Sequence, residues 1–432
     1  PYKTNASSFF GAPNENVANT QINSVYGTIT HDFDKSLALR NSTRFTNNHK
    51  FYRNVVPGTI SGTTLSLSAY QTKSERDNFT NQTDLTKKFE TGSVKHVALF
   101  GVEVTSQNST KVRSNVPSSS SVSLSNPITY DSFTYSTIAQ NLESDVRVLA
   151  SYLQDQADIN EHLQLTAGLR LDKFETKLKD RANNKNYGRI DTLLSPRAGL
   201  VIKPQKSVSF YGSYGVTYQP SVGDQFDTAL ITSTTAFDGL EPEKIQNYEV
   251  GAKWDVTPKI NLSAALFQLN RSNTPATNES GYVVLTGQSR TKGLELAVTG
   301  KITDEWQTIL GYSFQDAVVT KATNNYSAGK KVALIPHNSF SLWNKYDFTK
   351  NWAAGLGVVS QSHQFAGANN SVILKGFTRF DGALYYRINP SYRLQLNVEN
   401  LFDRGYAQTA HNNSNILPGS PRAFKAALIA DF

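Results

Sequence analysis

The stretch "AFKAALIADF" (423–432) decides how the chain is read. Phe424, Ala426, Leu428, Ala430 and Phe432 fall on one side of an extended strand, and Lys425, Ala427, Ile429 and Asp431 on the other. Successive strand side chains point to opposite faces, so this segment has one continuous apolar face and one mixed face. Alone, it suits the half-buried last strand of a soluble sheet as well as a strand with one face in lipid. The rest of the chain has to separate the two.

The same alternation recurs upstream. In 163–172, Leu163, Leu165, Ala167, Leu169 and Leu171 alternate with Gln164, Thr166, Gly168, Arg170 and Asp172. In 392–399, Tyr392, Leu394, Leu396 and Val398 alternate with Arg393, Gln395, Asn397 and Glu399. Short segments punctuate such runs: "DFDK" (32–35), "DINEH" (158–162), "KPQKS" (203–207), "TPKI" (257–260), "TDEW" (303–306), "TKNW" (349–352) and "NPSY" (389–392). Their Asp, Asn, Pro and Lys suit tight turns. Long segments rich in Ser, Thr, Asn and Gly lie between them, at 109–143, 220–243, 321–335 and 404–421. Short turns at one end and long loops at the other are the asymmetry of an outer-membrane barrel.

Composition permits that reading. The 432 residues are 38% hydrophobic, with a mean hydropathy of -0.42. No run approaches the roughly 18 apolar residues of a membrane-crossing helix. Barrel strands need only about 10 residues each, half of them polar. A β-sandwich also alternates, so strand length and number decide. About 17 strands are expected, several well beyond the five or six residues usual in soluble sheets. One soluble sheet that wide would curl or split, whereas a membrane barrel carries many strands without an exposed edge. The expected fold is all-β: a transmembrane antiparallel barrel over 1–432, with long extracellular loops, short periplasmic turns and the apolar face of 424–432 against lipid. The 20 Tyr, 23 Phe and 4 Trp suit rings at two water–lipid boundaries. The absence of Cys excludes disulfides and thiolate chemistry. A net charge of +8 suits an anionic ligand or surface. Its scatter along the chain argues against a nucleic-acid patch.

Six further stretches carry a resemblance. They are "LSPRAGLVIKP" (194–204), "SFYGSYGVTYQPS" (209–221), "LEPEKIQNYEVGAKWD" (240–255), "GQSRTKGLELAVTG" (287–300), "KGFTRFDGALYY" (375–386) and "NVENLFDRGY" (397–406). In this order they resemble successive barrel strands of TonB-dependent siderophore receptors. "NQTDLTKKFETGSVKHVALFGVEV" (81–104) resembles the catecholate-type ferric siderophore receptors most closely. The resemblance covers nearly the whole chain. It implies a monomeric receptor and transporter in the bacterial outer membrane, in contact with its lipid and driven by the TonB complex. It implies no cofactor, because iron arrives already held by its siderophore. Such receptors hold an N-terminal plug inside a 22-stranded barrel. Neither plug nor TonB-contacting segment is found here. The chain opens as an extracellular loop leading into a downward strand near Ile22, the sixth strand counted back from Phe432. Plug and first five strands are therefore expected to be absent. An odd number of strands cannot close easily, since the first and last run the same way.

The resemblance also sets the candidate ligand contacts. Tyr130, Phe133 and Tyr135 stand in one long loop, as rings for the ligand or as the loop's own packing. Phe226 and Phe237 stand in another loop with the same two readings. Arg170 and Arg393 should face the lumen, attracting ligand or pairing with lumenal carboxylates or the plug. His363, near Phe365, is the one histidine marked for testing. The histidines at 31, 49, 96, 162, 337, 363 and 411 lack metal-ligand spacing, so no metal site is expected. Glu249 and Glu295 read as structural, and "SSSS" (118–121) as a loop tip. Three competing functions remain: a passive porin-like channel, an outer-membrane enzyme and a soluble β-rich binding protein. The enzyme lacks support, with no G-x-S-x-G or H-E-x-x-H in the chain.

Overall fold

The structure is a computed structural model that describes residues 8–117, 120–219, 241–277, 283–285, 287–322, 327–413 and 415–431. Its first half comprises β1 (Val17–Asp32), β2 (Leu37–Ser61), β3 (Thr64–Thr91), β4 (Val94–Asn115), β5 (Ser120–Ser123), β6 (Thr137–Asn160), β7 (Leu163–Asp180), β8 (Lys185–Gln205) and β9 (Val208–Gln219). Next come β10 (Glu243–Thr257), β11 (Ile260–Ser272), β12 (Pro275–Thr277), β13 (Val283–Leu285), β14 (Gln288–Lys301), β15 (Trp306–Lys321), β16 (Asn338–Asp347) and β17 (Trp352–Gln361). The chain finishes with β18 (Gln364–Phe365), β19 (Ile373–Leu374), β20 (Phe377–Arg387), β21 (Tyr392–Glu399), β22 (Ala407–Asn412), β23 (Asn415–Pro418) and β24 (Ala423–Ala430).

One 18-stranded antiparallel sheet holds β5 and the long strands, each paired with its neighbours in chain order. Without the short β5, which adds to the far end of β3, the meander has the expected 17 strands among the described residues. Hairpins β12–β13, β18–β19 and β22–β23 belong to extracellular loops. Among the described residues β1 pairs only with β2, and β24 only with β21. Both edges run in the same direction.

The two faces of the sheet differ as alternation requires. Outward rows join Leu85, Phe100, Leu153 and Leu169 across β3, β4, β6 and β7, and Leu384, Leu396 and Ala426 across β20, β21 and β24. Leu153 is 58% exposed and Leu428 63%. Apolar exposure of that extent, continued strand after strand, suits hydrocarbon rather than water. On β24, Phe424, Ala426, Leu428 and Ala430 share the outward face with Val398, Leu396, Leu394 and Tyr392; Phe432 lies outside the described residues. Trp254, Trp306 and Trp352 stand outward near the short turns, where amphipathic rings anchor a barrel. Trp352 stacks on Tyr386 at 4.4 Å, and Trp306 Nε1 donates to Asn344.

The structure adjusts three expectations. β1 starts at Val17, earlier than Ile22. Two-residue turns at Gly62–Thr63 and Gly92–Ser93, absent from the set read in the sequence, separate β2, β3 and β4. Gly62 and Gly92 take φ of +56° and +63°, a conformation glycine adopts without cost. Much of the polar segment 109–143 is strand rather than loop, since β4 runs to Asn115 and β6 begins at Thr137. Ser, Thr and Asn there alternate and pair above the lipid, where an outward apolar face is not needed.

Candidate functional site

Within the membrane, the lumenal wall carries several clusters of paired polar side chains. Arg170 Nη1 donates to Glu103 at 3.1 Å, and Nη2 reaches Asp172 at 2.8 Å. Gln82 donates to the Tyr152 hydroxyl at 2.9 Å, and Tyr152 donates to Asp84. The Tyr152 ring lies over Gly101, where a Cβ would fall 2.1 Å from it. Further round, Tyr211 donates to Glu249 at 2.6 Å. Beside it a recess of about 470 Å³ is floored by small residues, among them Ala265, Ala297, Gly311 and Ser341, with Glu295 at its edge. Arg379 binds Asp381 and Glu399 at 2.9 and 2.8 Å. Fork-shaped guanidinium contacts with flanking carboxylates fix these strands to one another.

Above the membrane the same lumenal face changes character. Register aligns Asn48, Arg76 and Ser109; Lys50, Ser74 and Lys111; Tyr52, Thr72 and Arg113; and Asn54, Tyr70 and Asn115 across β2, β3 and β4. These four rows hold four cations, two tyrosines and no carboxylate. Tyr52 and Tyr70 meet edge to face, 6.0 Å between centroids. Arg113 stacks 3.9 Å over Tyr70, and Lys50 lies 5.1 Å over Tyr52. Asn54 Nδ2 donates to the Tyr70 hydroxyl at 3.2 Å. Burial, then the nearby charges of Arg113 and Lys50, bring the Lys111 ammonium down to about 8. Cations gathered without acids form a ready receptor for a large anion, and the rings add flat apolar area.

The residues marked in the sequence separate into groups. Phe133 and Tyr135 pack against Val55, Leu65, Leu67 and Ala69 on the other face of the β2–β3 hairpin. Tyr135 donates to Glu15 at 2.9 Å beneath the Arg53 guanidinium, itself 3.2 Å from Glu15. Burial, then the Glu15 carboxylate, holds the Tyr135 phenol well above its usual range. Tyr130, in the same loop, is 70% exposed. His363 meets Phe365 edge-on in the β17–β20 loop. Arg170 belongs to the carboxylate network above. Arg393 shares the lumenal face of β21 with Gln395, opposite Arg387, with no ion pair among the described residues. Phe226 and Phe237 lie outside the described residues. The rows on β2–β4 were not singled out in the sequence. Their signal was present, as basic and tyrosine residues with period two at Lys50 and Tyr52 and at Lys111 and Arg113, but 109–115 reads as part of a long polar loop.

Comparison with known proteins places these features in a family. The model of the family described as "TonB dependent receptor-like, beta-barrel" matches residues 1–401. The chain is 28% identical to the catecholate siderophore receptor Fiu of Escherichia coli K12, over 91% of this chain and 58% of Fiu. It is 27% identical to PiuA of Acinetobacter baumannii, a probable TonB-dependent siderophore receptor, over 78% of this chain and 50% of PiuA. Another relative is the metal-pseudopaline receptor CntO of Pseudomonas aeruginosa, 26% identical over 99% of this chain and 61% of CntO. The fold superposes on crystal structures of PiuA with a TM-score of 0.89 (22% identity, all of this chain, 67% of that one) and of Fiu in its closed form with 0.86 (24% identity, 98% and 66%). The chain thus spans about 58% of the length of Fiu. It belongs to the TonB-dependent receptor β-barrel family and is an outer-membrane protein.

Proposed function

We propose that this chain is the barrel of an outer-membrane receptor and transporter for ferric siderophores of the catecholate type, driven by TonB. The observation that carries this reading is the set of rows across β2–β4: Lys50, Arg76, Lys111 and Arg113, with Tyr52 and Tyr70 and no acid among them. A ferric catecholate presents a net negative charge and flat rings. The cations draw it in and speed encounter. The rings pack on the tyrosines, and Arg113, already stacked on Tyr70, offers donors to the catechol oxygens. Iron stays bound to its siderophore, so the site needs no metal ligands of its own. Movement past the barrel requires work supplied through a plug and the TonB complex, both outside this chain. Family membership and the likeness to the siderophore receptors Fiu and PiuA weigh against a passive porin or an enzyme.

The test is equilibrium binding to the full-length receptor, read by quenching of its own fluorescence. Ferric catecholate is expected to bind, with ferric hydroxamate at least tenfold weaker (about 1.4 kcal/mol). Preference for hydroxamate, or binding of neither complex, would overturn the ligand class and leave the fold untouched.

A further inference from the structure

We propose that the lipid-facing wall holds a specific site for an aminophospholipid of the periplasmic leaflet, with Asp155 receiving the lipid's ammonium. Cross-strand register sets two outward rows side by side. One joins Asp155, Ala167, Ala198 and Tyr214; the next joins Ala157, Leu165, Leu200 and Gly212. Small residues in the first row lie between leucine ridges, Leu169 on one side and Leu165 and Leu200 on the other. The result is a groove of about 560 Å³ across β6–β9, with Asp155 at one end and Tyr214 at the other. Three strand spacings make it roughly 14 Å long.

The groove climbs away from the periplasm. At the Asp155 end its neighbour His96 is the third residue of β4, beside the Gly92–Ser93 turn. Toward the other end the second row reaches Leu200, five residues short of the end of β8, and then Val250, seven residues short of the end of β10. A lipid whose headgroup sits near His96 and Asp155 can therefore run one acyl chain up the groove into the hydrocarbon.

The chemistry of the low end selects the headgroup. His96 Nδ1 and Asp155 Oδ2 are 2.7 Å apart, His96 Nε2 and Thr91 Oγ1 are also 2.7 Å apart, and the imidazole stacks on Phe89 at 4.7 Å. Both ring nitrogens are thereby occupied. Asp155 is not: its Oδ1 is shut off from water and has no hydrogen-bond partner among the described residues. The side chain nevertheless keeps 39% of its surface open. A carboxylate oxygen without a donor is costly beside hydrocarbon. The open part of the side chain borders the groove that Asp155 lines, so the carboxylate can take a further donor there while it keeps His96. A primary ammonium supplies three donors and the opposite charge. An anionic headgroup meets repulsion instead, so the occupant is of the phosphatidylethanolamine class.

The experiment uses the full-length receptor in nanodiscs of equal phosphatidylethanolamine and phosphatidylglycerol, with lipid retained through delipidation read by native mass spectrometry. Wild type is expected to retain the ethanolamine lipid about tenfold over the glycerol lipid, the scale of one charge-assisted contact. Asp155→Asn should equalise the two. Ala198→Leu, which fills the groove and leaves the carboxylate in place, should cut ethanolamine-lipid retention about as much. In a second arm phosphatidylcholine, whose ammonium donates no hydrogen bond, should be retained less than phosphatidylethanolamine. Equal retention of the two lipids by wild type, equal retention of the choline lipid, or unchanged retention by Ala198→Leu would each overturn the site. These outcomes stand even where Asp155→Asn fails to fold, and none depends on siderophore binding.

Discussion

The two sides of this barrel solve the same problem at different heights. β2, β3, β4 and β6 run 25, 28, 22 and 24 residues, far beyond the roughly 10 needed to cross the membrane. β16, β17, β20 and β21 run only 10, 10, 11 and 8. The tall side is held above the lipid by its own ladder, and the β2–β3 hairpin buries Leu65 and Leu67 against Phe133 and Tyr135. Among the described residues the low side has no such ladder and relies on interlocked loops. Lys331 N donates to the Asn370 side chain, which returns a bond to Lys331 O. Ala366, Leu374 and Ala410 from two hairpins form a small core. Asn400, 1% exposed and at φ 53°, joins the chain near Asp381, Arg404 and Ser420. Extended ladders leave one clean face free to carry a charge pattern. Interlocked loops spend their polar groups on each other.

This division assigns the largest effect to the tall side. Lys111→Gln with Arg113→Gln should weaken ferric-catecholate binding on the order of 100-fold, two charge-assisted contacts at about 1.4 kcal/mol each. Equilibrium titration of the purified receptor measures it, and a loss under threefold would erase the functional contrast. Asn400→Ala attacks the low side. It strips several hydrogen bonds from a buried site and puts Ala at positive φ, costing about 2–3 kcal/mol of local stability. Faster amide exchange across 400–422 should reveal this, with ligand affinity changed less than about threefold. An equal loss of affinity would show that both sides bind ligand.

The third test uses pH. Lys111 loses its proton near 8, so anion affinity should fall severalfold as pH rises from about 7 to 9, and the step should vanish in Lys111→Gln. Stability runs the opposite way. Between about 8 and the ordinary lysine range the unfolded chain holds this proton more tightly, so alkali favours the folded wall while weakening the site. The smallest effect is expected on the low side, at the half-exposed pair of Asp316 and Lys331. Its hydrogen bond, with burial opposing, keeps the Asp316 carboxylate below its usual range, so the pair's contribution is present above that range and lost as acid protonates it. Asp316→Asn should cost less than about 1 kcal/mol, read by the chemical-denaturation midpoint.

The sequence made the membrane-crossing part of this division legible. Leu163–Leu171 and Tyr392–Val398 show an outward apolar face because hydrocarbon demands one, and the structure places them there. Above the lipid the demand lapses. Ser109, Thr110 and Ser114 then look like loop although they pair as strand, which is why the tall side was underestimated. The cation rows were hidden for a related reason. Lys50 and Lys111 lie far apart in sequence and meet only through the register that joins both to Ser74. Tyr135 was visible as an aromatic loop residue, but its bond to Glu15 depends on a fold that brings together residues 120 apart.

The unequal rim also gives the mouth a direction. At physiological salt a fixed charge is felt for only about 8 Å, so the cationic rows exert little pull on solutes drifting above the summit of the hairpin. An anion entering over the short flank passes the shorter strands β16, β17, β20 and β21 and comes within reach of Lys50 and Arg113 from the front. The long ribbons then act as a backboard and the short flank as a doorway, so bulky groups attached to the doorway loops should slow capture more than the same groups on the hairpin tip.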